Sequence, residues 1–230
     1  MHPRGDSVGL KTDVSIIMIV AWDLETTGLN GTTDLVTVGA LYSPEKQIVY
    51  QFATLSNGIV VKVPDFDLKK EAFMKELDDA PVLAAFNGIG FDVPFLTAAF
   101  HPTHERVMRW LLKSIDVFET CKRACEGRTF GLNLVLALNG YTVKTGSGME
   151  AVWQARRGEW ESLSQYCLED SRLTYEISTK KTRIALPEGF NWRKAHGGRT
   201  HDPANMLFMT ISTEDHRVAF ETGTLEQTGV

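Results

Sequence analysis

Residues 21–29 read AWDLETTGL and close an apolar run that occupies residues 16–22. The run has strand length and no polar break, as expected for a central strand covered on both faces. It gives way to Asp23 and Glu25, and the turn-prone Thr26-Thr27-Gly28 follows at once. On an extended chain, side chains two residues apart point to one face, so both carboxylates can reach a single point at the strand end. Carboxylates held that close repel unless a proton or a cation lies between them. A divalent ion is the natural occupant, and hard ions such as Mg²⁺ or Mn²⁺ take oxygen ligands.

Two more acidic motifs follow. In FNGIGFDVPFL, residues 86–96, Asn87 closes an expected strand over 81–86, a glycine-rich turn comes next, and Asp92 stands at a helix start. Asp92 alone also fits a helix cap, a reading that leaves Asn87 and Phe91 without a role. In YCLED, residues 166–170, Tyr166 and Asp170 lie one helical turn apart on one face. That face is otherwise apolar, and an Asp there carries a large desolvation cost unless it is paired or metal-bound.

The rest of the chain sets bounds. Its 230 residues, 43% hydrophobic and 23% charged, suit one sizeable domain plus a tail. A net charge of −5 speaks against a generally basic nucleic-acid coat, yet leaves room for a local groove or for acids offset by bound metal. Cys121, Cys125 and Cys167 are odd in number and form no C-x-x-C pair, which suits reduced thiols in a cytosolic or nuclear setting and no zinc site. The apolar run is too short for a membrane span. Strands are expected over 34–42 and 47–54, joined through 43–46, and again over 114–117. Helices are expected over 68–77, from 92 onward, and over 118–126, 132–138, 149–157 and 159–180. Strands come first and helices mostly after, which predicts an α/β fold with a mixed sheet carrying helices. Residues 1–15 read as a flexible leader, 16–185 as the domain and 186–230 as a partly disordered extension with one short element near 206–211.

Taken in order, D-x-E, N-x-x-x-F-D and Y-x-x-x-D resemble the motifs of the DEDD superfamily of 3′–5′ exonucleases, in its tyrosine-containing branch. The wording around them is similar to the proofreading exonuclease domains of family B DNA polymerases and their stand-alone relatives, over roughly residues 16–180. The resemblance implies a ribonuclease H-like fold, its sheet antiparallel in the first strands and then parallel, flanked by helices. It makes Asp23, Glu25, Asp92 and Asp170 ligands of two divalent ions, Mg²⁺ or Mn²⁺, with Tyr166 orienting the attacking water. The histidine branch carries its histidine five residues before the last Asp, where this chain has Gln165. Thr26 and Leu29 match positions that hold the terminal nucleotide, Leu29 resembling the wedge beside the last base, and Asn87 and Phe91 match positions that place the substrate strand and the residues around the ligands. Lys144 with the 146–148 loop, and Arg156-Arg157, are candidates for phosphate contacts. The implied substrate is the 3′ end of single-stranded DNA or RNA, with a polymerase or helicase as a partner outside this sequence. Two other readings stay open on the residues alone: a non-catalytic nucleic-acid-binding scaffold of the same fold, and a phosphodiesterase of small nucleotides.

Overall fold

The strand that carries the first two acids, β1 (Ile19–Thr26), lies at the centre of a five-stranded sheet. The computed structural model describes residues 18–124, 129–142, 148–180, 183–187 and 206–210. The expected leader over 1–15, and most of the expected extension over 186–230, lie outside the described residues. On one side of β1, β2 (Val36–Ser43) and β3 (Lys46–Gln51) run antiparallel; on the other, β6 (Val82–Ala85) and β7 (Ser114–Asp116) run parallel, giving the order β3-β2-β1-β6-β7. This is the mixed α/β sheet that the sequence predicts.

The strand runs further than its apolar stretch. Sequence places its end at Trp22, whereas the ladder with β2 continues from Ala21 opposite Tyr42 to Glu25 opposite Val38, with an irregularity before Thr26 opposite Val36. Backbone pairing outlasts the hydrophobic pattern because one flank still has a partner. On the other flank the parallel ladder with β6 covers only Ile19 to Ala21. Residues 22–26 are therefore paired on one side alone, and the neighbouring chain leaves β6 and turns back toward them.

The expected strand over 47–54 also divides. β3 ends at Gln51, Phe52 turns fully into the core, and a separate hairpin forms from β4 (Ala53–Ser56) and β5 (Ile59–Lys62). Its turn is Asn57-Gly58, both residues at positive φ (51° and 76°), the dipeptide that two-residue hairpins favour.

Helices cover both faces. α1 (Phe66–Asp79), α2 (Val93–Phe100) and α3 (His104–Leu112) join Trp22 and Leu24 in one core with the fully buried Phe52, Phe73 and Trp110. The Phe52 and Phe100 rings meet edge to face at 5.0 Å, a geometry that adds to burial. α3 goes beyond the sequence reading; the Thr103 hydroxyl caps it by accepting from the Arg106 amide at 3.3 Å. On the opposite face lie α6 (Gly148–Arg157) and α7 (Trp160–Lys180), with Leu163 and Cys167 packed on Val38 and Ala40. α4 (Val117–Ala124) and α5 (Leu132–Leu138) pack with the later part of α7 through Leu173 and Ile177. β8 (Arg183–Pro187) and β9 (Met206–Thr210) pair antiparallel as a separate two-stranded sheet. Among the described residues, no helix is long and apolar enough to cross a membrane.

Candidate active site

Alternation along β1 sends Trp22 and Leu24 to one core and Asp23 and Glu25 to the face under α7. Asp23 is half-buried and Glu25 is buried. The Cys167 thiol meets them there: Sγ donates to the Asp23 carbonyl oxygen at 3.4 Å and to its Oδ2 at 3.6 Å. One ligand atom from each of Asp23, Glu25 and Cys167 lies within 4.8 Å of the other two. Burial first, and then the carboxylates of Asp23, Glu25 and Asp170, push the thiol well above its ordinary range. Asp170 is buried three residues along α7 from Cys167, so it belongs to the same acidic locus.

Asp92 enters from the open flank of β1. After β6 the chain passes Asn87 in the left-handed conformation (φ 68°) and makes one wide π turn, Gly88–Asp92, before α2. Gly88 is required: a Cβ there would lie 2.4 Å from that of Ala85. The Asp92 side chain does not cap α2, which removes the simple capping account. Asp92 is only 3% exposed, and its Oδ1 has no hydrogen-bond partner among the described residues. Burial, followed by the neighbouring Asp23 carboxylate, pushes Asp92 well above the usual carboxylate range; the Leu24 amide pulls the other way and Asp116 adds a smaller push. A buried acid facing another acid at an open strand edge is the arrangement that a bound cation would relieve. The donor set, oxygens with one adjacent thiol, suits a divalent ion.

Asp116, absent from the sequence motifs, holds that turn. From the end of β7 its carboxylate accepts from the amides of Asn87 (3.0 Å), Ile89 (2.8 Å) and Glu119 (3.1 Å). Cys167 was likewise legible only as one apolar position on the helical stripe. An Asp ending a short strand is the only signal that could have marked Asp116, and it does not say which turn the carboxylate serves.

The remaining residues named from sequence divide. Thr26 is buried and its hydroxyl donates to the Gly28 carbonyl at 2.6 Å. Leu29 is 85% exposed and faces Phe91, Pro94 and Phe95 across a small cleft of about 180 Å³. Phe91 and Phe95 stand 5.6 Å apart. Tyr166 is half-buried against the apolar cluster that includes Val38, Leu163 and Cys167, one turn before Asp170. Arg157 is engaged by Glu150 and Glu159, while Arg156 lies over the Trp153 ring at 5.3 Å and lines a second cleft with Thr33 and Ile59. Lys144 lies outside the described residues.

The fold matches what comparison with known proteins returns. The chain belongs to the RNase H superfamily, whose RNase_H_2 family matches residues 20–181. Among solved structures it is similar to the family B DNA polymerase from the hyperthermophilic archaeon Pyrobaculum calidifontis, with a TM-score of 0.52 and 16% sequence identity. The similarity covers 71% of this chain and 24% of the polymerase, so the chain spans about a quarter of that protein's length. At that identity the likeness speaks for the fold. Among curated protein sequences, none matches. Membership of the superfamily, together with the acidic locus, identifies a nuclease-type fold.

Proposed function

We propose that the protein is a metal-dependent 3′–5′ exonuclease of the tyrosine-containing DEDD branch, acting on single-stranded ends and releasing nucleoside 5′-monophosphates. The observation that carries the reading is the arrival of buried Asp92 beside Asp23 on the flank of β1 that β6 leaves open. Asp23, Glu25, Asp92 and Asp170 would hold two divalent ions, Mg²⁺ or Mn²⁺. Such ions, when bound, would supply a nucleophilic water near neutral pH and stabilise the leaving 3′-oxygen.

The chain's own residues do the rest. Tyr166 orients the attacking water from the turn before Asp170. Leu29 and Phe91, on opposite sides of their cleft, hold the last base between them. Thr26 and Asn87 fix the loop and turn that carry these groups. Lys144 and Arg156 contact phosphates farther along the strand. DNA is the favoured substrate, and work beside a polymerase or helicase would come through a partner protein.

The test is degradation of a 5′-labelled single-stranded oligonucleotide in Mg²⁺ and in Mn²⁺. A ladder of products shortened from the 3′ end is expected, abolished by Asp23→Ala and Asp170→Ala. Label that stays at full length with wild-type protein in both metals refutes the reading.

A further inference from the structure

The hairpin of β4 and β5 stands outside the five-stranded sheet and packs on α6, and the reaction described above gives it no task. Its Asn57-Gly58 turn carries Ile59 into solvent, at 65% exposure. Ile59 and Arg156 line a cleft of about 430 Å³, with Thr27, Thr33 and Leu35 completing its wall. That volume falls within the roughly 300–1,000 Å³ of sites that take whole small ligands. The cleft of Leu29 and Phe91, at about 180 Å³, is less than half as large.

Charge singles out Arg156. Its neighbour Arg157 is tied by Glu150 and Glu159, whereas Arg156 has no carboxylate partner among the described residues. Its guanidinium lies instead 5.3 Å from the centroid of the exposed Trp153 ring. A cation steadied on an aromatic face, with no acid to neutralise it, is available to a phosphate.

The fold sets where this cleft stands relative to the acids. Ala155, next to Arg156, is buried in the cluster that holds Cys167, and Cys167 meets Asp23. α6 therefore covers the same face of β1 as the two acids. The chain that leaves them, residues 27–35, is a fixed loop. The Thr27 amide donates to the Leu35 carbonyl at 2.9 Å, the Leu35 amide to the Thr27 hydroxyl at 2.9 Å, and the Asn30 amide to Asp34 at 2.8 Å. A Cβ on Gly31 would lie 3.1 Å from the Phe95 Cα, so the loop is also pressed against α2. Through Leu29 and Thr32 the loop lines the cleft of Phe91; through Thr27 and Thr33 it lines the cleft of Arg156.

We propose that the cleft between the β4–β5 hairpin, the 27–35 loop and Arg156 binds a nucleotide of single-stranded nucleic acid upstream of the terminal one. The proposal rests on the exonuclease reading above, which sets the 3′ end at the acids. Arg156 takes the upstream phosphate and Ile59 packs on the base. Trp153 is a positioning residue that holds the guanidinium at the cleft. The site then prefers a longer strand to a dinucleotide, whose single phosphate lies at the acids and leaves Arg156 nothing to bind. None of these contacts uses a metal, so binding persists in chelator.

The experiment is fluorescence anisotropy of an end-labelled single strand of about ten nucleotides with the full-length protein, in chelator and over a range of salt. Arg156→Ala should bind about tenfold more weakly at low salt, the worth of one charge-assisted hydrogen bond. It should also reduce the slope of log affinity against log salt by about 0.7, the share of one phosphate on a single strand. Ile59→Ala should weaken binding at every salt concentration and leave the slope in place. Trp153→Ala should lose part of the slope and Trp153→Phe restore it, which a loss of packing alone does not do. These side chains are exposed, and circular dichroism checks that the variants fold. Arg156→Gln, which keeps the aliphatic stem, replaces Arg156→Ala should that variant fail. Absence of binding, or a slope that loss of Arg156 leaves unchanged, overturns the proposal. A protein whose binding follows Arg156 but which leaves the labelled oligonucleotide intact keeps this cleft and loses the exonuclease reading. One that trims it equally well with and without Arg156 does the reverse.

Discussion

The carboxylate of Asp116 holds the backbone amide of Asn87 at 3.0 Å, a contact between the end of β7 and the left-handed residue that opens the π turn. With Ile89 held at 2.8 Å by the other oxygen, the turn is fixed at two amides, and its last residue is Asp92. Hydrogen bonds to a charged group contribute about 1.5–3 kcal/mol each, and buried amides left without an acceptor cost about as much again. Asp116→Ala should therefore destabilise the protein by about 2–4 kcal/mol in urea unfolding. Asp116→Asn keeps one acceptor and should lie between. Trimming of the labelled oligonucleotide should fall in both, more than the loss of folded protein explains, because Asp92 is no longer aimed at Asp23.

Asp92 makes a prediction with the opposite sign. Its folded pKa is raised, by burial first and by Asp23 second. The folded state then holds a proton that the unfolded chain has already released. This contribution to stability is fully present below the unfolded value of 3.8 and is lost as pH rises through the folded pKa. Asp92→Asn removes the penalty, so the metal-free variant should melt higher than wild type at pH 7, by about 2–4 °C for each kcal/mol regained. The gap between the two proteins should close toward pH 3–4, roughly the ordinary range for an Asp. Calorimetry across that range, with chelator present, reads both.

These two acids also show how far the sequence carries. The alternation that puts Asp23 and Glu25 on one face is a property of any extended strand, so it was legible without knowing the strand's neighbours. Asp170 was legible for a similar reason, as an acid on the apolar stripe of α7. The end of β1 was not, because pairing with β2 continues past Trp22 where hydrophobicity stops. Nor was Asp116, whose two partners in the π turn are 27 and 29 residues away and are backbone amides, which leave no mark in side-chain pattern. Cys167 is ambiguous in sequence, since the 100° between it and Tyr166 on the helix decides which one faces Asp23, and only the packing of α7 on β1 and β2 sets that rotation. The Asn57-Gly58 hairpin carried a strong local signal that a single long strand over 47–54 does not use.

Metal should stabilise the fold through the same acids. A ligand at a hundred times its Kd adds about 2.7 kcal/mol. In a chain of this size that corresponds to a melting temperature raised by about 5–10 °C. Wild-type protein treated with chelator and then given Mn²⁺ should show this rise. Asp23→Ala, which removes the carboxylate nearest both Cys167 and Asp92, should show little of it. An equal rise in the variant would place the stabilising ion elsewhere.

Leu29 separates packing from function most cleanly. At 85% exposure it contributes almost nothing to the core, and surface substitutions of that kind stay within about 0.5 kcal/mol. Its side chain nevertheless lines the cleft opposite Phe91, beside the loop that follows the two acids. Leu29→Ala should leave the unfolding curve in place while slowing release of the terminal nucleotide. Loss of apolar contact with one base is worth about 1–3 kcal/mol by analogy with stacked single strands, a factor of roughly 5–150 in the rate at low substrate. Phe91→Ala should slow trimming similarly but also lower stability, since that ring packs on Phe95 and the core beneath it. If Leu29→Ala trims at the wild-type rate on both matched and frayed ends, the leucine is an ordinary exposed residue and the cleft does not hold the base.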